Sequence, residues 1–298
     1  MAKKRRRIGK LALQEYIAGY VFALPWFIGF IAFVAGPLIY SLWLSLTRYE
    51  VLTPPTFIGL SNYRDLLSDE LFWKSLSNTL YMVIVGVPAE ILIALAIALL
   101  LNNDVKGIAW YRAIYYLPAI VPVVASSVLW MWIFNANYGF LNTVLGSLGL
   151  GKPNWLMDPR LSKVAIIIMN TWAAGANMII FLAGLKGIPE QLYEAARIDG
   201  ANWWQCFWKI TLPLLSPTTF FMVIMGIIGA FQIFTQAYIM TEGGPLDSTL
   251  FYVYYLFNNA FAYFKMGYAS AMAWILFIII LIITLLQWRL APRWVHYE

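Results

Sequence analysis

The residues best suited to do chemistry together lie in one polar tract near the middle of an apolar chain. Glu194-Ala195-Ala196 is followed by Asp199-Gly200 and, after nine further residues, by Ile210-Thr211-Leu212-Pro213. Ala195 and Ala196 carry minimal side chains, so a helix bearing them can seat deep in a partner's groove. Glu194 is placed to make a charge-assisted hydrogen bond with an arginine of that partner. Gly200 permits a sharp turn, which Asp199 can brace. The alternative for Glu194 is a charge that is merely solvated. This is chemistry of docking, with no bond made or broken.

A second set is polar but uncharged. Asn170 and Asn177 are seven residues apart, within about 20° of one another on a helix. Ala173, Ala174 and Gly175 between them leave space, and Trp172 offers a flat face for stacking. Gln232 and Gln236 stand at helical spacing, after Gly226 and Ala230. Polar side chains at membrane depth face a bundle interior or a watery cavity. The competing reading is helix–helix packing, with amides bonding across an interface and small residues permitting close approach. Gly226 and Ala230 in particular fit the packing pattern.

Catalytic constellations are absent from the sequence. The single cysteine, Cys206, forms no internal disulfide framework and no cysteine-based zinc site. With His296 as the single histidine, no metal cluster and no Ser/His or Cys/His dyad is expected inside a membrane. Gly146 to Lys152 imitates a phosphate-binding loop, but Pro153 stands where a hydroxyl must bind magnesium. No enzyme is expected, and no cofactor in this chain.

Composition says what holds these residues. Of 298 residues, 62% are hydrophobic and 11% charged, against about 45–50% and 25% in soluble domains. An ordinary soluble enzyme, a disordered chain and a collagen-like repeat are excluded. At about 20 apolar residues per crossing, six spans are expected: 17–46, 76–101, 110–134, 161–185, 214–239 and 268–290. The first is interrupted by Pro25 and Gly36-Pro37, so it tilts or kinks. It is too long for the apolar region of a cleaved signal and reads as a retained anchor. Glu90, after Pro88 in the second span, reads as a neutral or hydrogen-bonded structural residue. A proton-coupling carboxylate is the alternative.

The net charge of +6 includes a run from Lys3 to Arg7. This run orients the chain against anionic lipid, not nucleic acid. With the N-terminus inside, thirteen lysines and arginines fall on inner segments and seven on outer ones. Both termini are therefore expected in the cytoplasm. The loop 186–213 is amphipathic and inner. Pro189 suits the first turn of one helix, Gly200 its end, and Asn202 the cap of a second. A helix–turn–helix on the inner membrane face is expected, against a plain interfacial segment.

The tract Glu194 to Gly200 with Ile210 to Pro213 resembles the EAA signature of importer-type ABC permeases at matched spacing. Further tracts resemble the carbohydrate branch related to the maltose system. Among them are Gly59-Leu60-Ser61-Asn62-Tyr63, Asn78-Thr79, Tyr138 to Asn142, Gly243-Gly244-Pro245 and Gly267 to Ala271. The large external insertion of the maltose-type subunit is lacking. The resemblance covers about residues 17–290.

The resemblance implies an all-α polytopic permease with six transmembrane helices and a cytoplasmic coupling helix, the type I importer fold. It divides the chain into a basic tail (1–16), a first helix with its external loop (17–70), a transmembrane core (71–291) and a C-terminal tail (292–298). It implies ATP-driven import of a sugar or oligosaccharide through the cell membrane. The implied partners are a second permease, two ATPase subunits that bind ATP and magnesium, and an extracytoplasmic sugar-binding protein. It makes Glu194, Ala195, Ala196, Asp199, Gly200, Ile210 and Pro213 the ATPase-coupling residues. It favours Asn170, Trp172, Ala174, Asn177, Gly226, Ala230, Gln232 and Gln236 as the substrate pathway. Two rival functions are a secondary carrier using Glu90 and an intramembrane enzyme acting on lipid-linked glycans. Neither a visible repeat nor a catalytic dyad supports them.

Overall fold

The computed structural model describes residues 10–103 and 106–296. The basic run from Lys3 to Arg7 lies outside them. Among the described residues, three helices are long and apolar enough to cross a membrane unbroken: Gln14–Ser45, Glu70–Leu101 and Met266–Arg293. Three bent pairs supply the remaining crossings: Ile108–Ile120 with Val123–Ile133, Ser162–Trp172 with Gly175–Lys186, and Trp203–Leu214 with Ser216–Phe231. In chain order these are the first to sixth spans, the bent pairs being the third, fourth and fifth.

Proline shapes the helices in two ways. At Pro37, Pro88 and Pro213 the helix widens instead of breaking. A π turn precedes each: Ile31–Ala35, Met82–Gly86 and Phe207–Thr211. Proline lacks an N–H and its ring presses on the carbonyl four residues back. The residue before each proline then bonds one residue further back: Gly36 to Ile31, Val87 to Met82 and Leu212 to Phe207. At Pro122 the chain turns instead.

Several expected boundaries are corrected by these bends. The segment 110–134 is no single helix; its halves meet at 98°, because Val121 and Pro122 adopt extended backbone. The segment 161–185 breaks by 51° at Ala173-Ala174. The segment 214–239 is helical only to Phe231 and resumes as Thr235–Met240. Phe234 between them packs on Tyr238 and Phe257, at 5.3 and 4.8 Å between ring centroids.

The core lies where the second, fourth and fifth spans meet. Ala94 and Ala98 are fully buried and let the second span approach the helix carrying Met178, Phe181, Leu182 and Leu185. Leu215 and Met222 of the fifth span close the third side. The first span runs outside this core. Only Leu44 and Ser45 at its end are buried, where the Asn62 amide donates to the Ser45 and Thr47 carbonyls at 2.8 and 2.9 Å.

Two polar clamps secure the end opposite the loop 186–213. Asn78 donates to the carbonyls of Asp247 and Leu250 at 2.6 and 3.1 Å. Its neighbour Thr79 accepts from the Tyr252 N–H at 2.9 Å. The turn-rich segment 241–251 is thereby held on the second span. Asp69, the N-cap of that span, accepts hydrogen bonds from the Tyr255 and Tyr268 hydroxyls. Burial raises the Asp69 pKa, but those two hydroxyls and the backbone N–H groups of Leu71 and Phe72 outweigh it. The carboxyl sits below its ordinary value. A carboxyl with a depressed folded-state pKa stabilises above its unfolded value, and the effect is lost as pH falls through the folded one.

Removing either clamp has a measurable cost. Asn78→Ala takes the side-chain donor from the buried Leu250 carbonyl and one of two donors from the Asp247 carbonyl, and is expected to cost about 2 kcal/mol. In a detergent melt it lowers Tm by several degrees. Asp69→Ala lowers it as well, whereas Asp65→Ala at an exposed position does not. Equal melts for all three would remove the clamp assignment.

Candidate functional site: a membrane cavity and an exposed two-helix loop

The helix breaks surround a cavity of about 440 Å³. The bend of the third span contributes Pro118, Ala119, Val121, Val123 and Ser126. The break of the fourth contributes Asn170, Ala173, Ala174 and Asn177. Met82, Val87 and Glu90 come from the second span, and Met222, Met225, Gly226, Gly229 and Ala230 from the fifth. Gln236 enters from beyond the end of the fifth.

Local chemistry explains the opening. At the fourth span's break, Ala173 and Ala174 bond three residues back, to Asn170 at 3.0 Å and Thr171 at 3.2 Å. The helix tightens there and then changes direction. Next comes Gly175, where any Cβ would overlap the Tyr115 carbonyl oxygen. The third and fourth spans thus touch backbone to backbone beside the cavity. Gly226 has a similar task, since a Cβ there would meet Val87 at 2.8 Å.

Six of the eight pathway residues expected from sequence line this cavity: Asn170, Ala174, Asn177, Gly226, Ala230 and Gln236. Two do not. Trp172 packs edge-on against Trp130, 5.8 Å between centroids. Gln232 is exposed on the turn that ends the fifth helix, its N–H bonded to Gly229 at 3.0 Å. Gln232 and Gln236 are therefore not successive positions on one helix face. The helix stops at Phe231, so their spacing in the sequence carries no shared direction.

Two cavity residues escaped the sequence reading as site residues. Ser126 gave no signal in an apolar segment. Glu90 gave one, as an acid at membrane depth, but its partner was not legible. In the structure Gln236 Nε2 donates to Asn170 Oδ1 at 3.4 Å, and the Asn170 amide faces the Glu90 carboxyl.

The polar tract of the opening paragraph forms two short helices at the other end of the fourth span. The first is Glu190–Ile198, with Pro189 at its N-cap position and not inside its first turn. It ends in a complete glycine cap. Gly200 has φ +81°; its N–H reaches the Arg197 carbonyl at 3.0 Å and that of Ala201 reaches Ala196 at 2.8 Å. Asn202 then opens the second helix with a reciprocal box. Asn202 Oδ1 accepts from the Gln205 N–H at 2.9 Å, and Gln205 Oε1 from the Asn202 N–H at 2.8 Å. Tyr193 and Thr211 join the two helices by their hydroxyls at 2.9 Å.

The seven expected coupling residues divide three ways. Glu194 and Ala195 are exposed on the first helix. Ala196, Asp199, Gly200 and Ile210 line a cleft of about 360 Å³ between the helices, beside Cys206 and Lys209. Pro213 follows the π turn that widens the second helix. No residue of Glu190–Ile198 is buried. Ile198, Trp203, Trp204 and Trp208 are exposed around it. The described C-terminal segment shares this end of the bundle: Ala291 and Val295 pack on Phe220, and the His296 N–H donates to Ser216 Oγ at 2.8 Å.

A polytopic bundle with broken helices around a polar cavity, and a helix pair left exposed at one end among the described residues, is the architecture of a transport permease. Residues 71–296 match the family described as the binding-protein-dependent transport system inner membrane component, and the chain belongs to that family. It is a multi-pass membrane protein and a transporter subunit, not an enzyme. The probable ABC transporter permease YesP of Bacillus subtilis is 46% identical over 99% of this chain and 96% of its own. The trehalose/maltose permease MalF of Thermococcus litoralis is 36% identical over 93% and 94%. Among solved structures, a bacterial ABC transporter that imports the acidic polysaccharide alginate has a chain of similar fold. Its TM-score is 0.79, with 25% identity over 94% of this chain and 97% of that one.

Proposed function

We propose that this chain is one of two permease subunits of an ATP-driven importer for a neutral sugar or oligosaccharide. The observation that carries the reading is an amide-lined cavity joined in one chain to an exposed Glu194-Ala195-Ala196 helix that no other described residue covers. The cavity offers amide and hydroxyl groups and no cation, which suits sugar hydroxyls. The trehalose/maltose name of one relative agrees.

In this reading the two-helix loop docks on an ATPase subunit in the cytoplasm. ATP and magnesium are bound by two such partners, and an extracytoplasmic binding protein delivers the sugar. A second permease completes the cavity. Closure of the ATPase pair pushes the loop, and the spans rock as rigid bodies. The glycine cap and the capping box make the loop stiff enough to transmit the push. Both termini lie in the cytoplasm, as the lysine and arginine bias favours.

A tagged pull-down in mild detergent, read by mass spectrometry, tests the assembly. A second six-span permease and an ATPase are expected with the chain. Recovery of the chain alone, where a control complex survives, would sink the proposal.

A further inference from the structure

Trp203, Trp204 and Trp208 are 62%, 60% and 58% exposed. They form an ordered aromatic face on the second helix of the loop. Trp203 stacks on Phe207 at 5.6 Å between centroids, and Trp204 and Trp208 meet Phe207 edge-on at 6.2 and 5.4 Å. The face lies outside the cleft between the two helices. Gln205, Cys206, Lys209 and Ile210 line that cleft from this helix, and none of the tryptophans does. Among the described hydrogen bonds the indoles of Trp73, Trp155 and Trp274 donate within the chain, and those of Trp203, Trp204 and Trp208 do not. The patch therefore presents apolar rings and unused N–H donors together.

The fifth span sets where this face lies. The helix Trp203–Leu214 meets Ser216–Phe231 at 63°. At about 1.5 Å per residue it is about 18 Å long, of which only about 8 Å lies along the normal of a bilayer that the fifth span crosses upright. A headgroup layer is about 5–8 Å thick. The helix thus runs along the bilayer surface and does not project far into water. The end of the sixth span marks the same level independently. Trp288 and Trp294 touch Phe220, in the first turns of Ser216–Phe231, at 6.4 and 5.8 Å between centroids. Both are exposed beside exposed Arg289 and Arg293, the company that aromatic and basic residues keep at a span end among headgroups.

We infer that the aromatic face of the second helix is a membrane anchor. The rings of Trp203, Trp204 and Trp208 sit in the headgroup layer at this end of the bilayer and donate their N–H groups to lipid phosphate or ester oxygens. An indole gains by taking its ring out of water but must keep a partner for its N–H, and the headgroup layer satisfies both needs. Arg289 and Arg293 at the same end complement negative headgroups. The anchor fixes the height of the two-helix loop and leaves the Glu194 face of the first helix open to water.

The test uses the full chain in nanodiscs, alone and with its partner subunits bound. A variant carrying Trp203→Phe, Trp204→Phe and Trp208→Phe keeps the ring packing, and its emission subtracted from that of wild type isolates the three indoles. The difference emission is expected to lose most of its intensity in lipid brominated high on the acyl chain and little in lipid brominated at the chain end. A second measurement does not depend on that variant. Cys206→Ser removes the single cysteine, and a nitroxide is placed at Trp208→Cys or at Glu194→Cys. Relaxation by oxygen and by a water-soluble nickel chelate is expected to put the first label about 5–10 Å below the headgroup boundary and the second in water. Difference emission that neither lipid quenches, or a Trp208→Cys label in water, overturns the inference. So does quenching that disappears once the partner subunits bind, because the face then belongs to a protein contact.

Discussion

Gly200→Pro is expected to abolish uptake while the protein still inserts and folds. Gly200 has φ +81°, and proline holds φ near −65°. Proline also removes the N–H that bonds the Arg197 carbonyl at 3.0 Å. The turn between the two inner helices cannot then form, and the exposed Glu194 face points elsewhere. No core residue is involved, because no residue of Glu190–Ile198 is buried. On the docking reading, ATP hydrolysis becomes independent of substrate and transport drops about a hundredfold or more, as loss of the productive geometry would give. Glu194→Ala removes one charge-assisted hydrogen bond to a partner, worth about 1.5–3 kcal/mol. A fall of about tenfold or more in coupled hydrolysis follows. Both are read in proteoliposomes, with uptake and hydrolysis measured on the same preparation. Normal uptake in both variants would count against docking through this loop.

Gly175→Val is expected to have the largest effect on stability. Its Cβ would fall on the Tyr115 carbonyl oxygen and close to the Tyr116 Cα at 2.8 Å. Both are backbone atoms, which no rotamer change can move. Relief requires the third and fourth spans to separate beside the cavity. Overpacking of this kind costs about 3 kcal/mol or more where backbone must shift. Gly229→Ala is the control. It also lines the cavity, yet a Cβ there meets nothing within 4 Å. Size-exclusion melts should show Gly175→Val aggregating well below wild type and Gly229→Ala unchanged. Similar melts for the two would mean that the spans part freely at this point.

The two sites differ in how far they could be read without coordinates. The inner loop is written in neighbouring residues. Its glycine cap joins positions within five residues of each other, and its capping box joins positions three apart. The cavity is written across distant ones. Asn170 meets Gln236 over 66 residues, and away from the cavity the clamp joins Asn78 to Asp247 over 169. A period of 3.6 predicts a shared face only while the helix continues. It failed for Gln232 and Gln236 because the helix ends at Phe231 and a new one starts only at Thr235, while Trp172 packs on Trp130.

The sequence by itself determined that the chain is a bundle of apolar spans with an amphipathic two-helix loop. Burial of apolar segments in a bilayer is a property of composition and length, and turns and caps are properties of adjacent residues. It also marked Pro37, Pro88 and Pro213, though not that each would widen its helix, and it passed over Pro122, where the chain turns. That choice depends on what stands beside the freed carbonyl. Only the tertiary structure decided where the helices bend, which small residues bring backbones into contact, and that Glu90 faces a cavity rather than a neighbouring helix. Those outcomes depend on packing between segments far apart in the chain, where one side chain's volume sets the position of another's backbone.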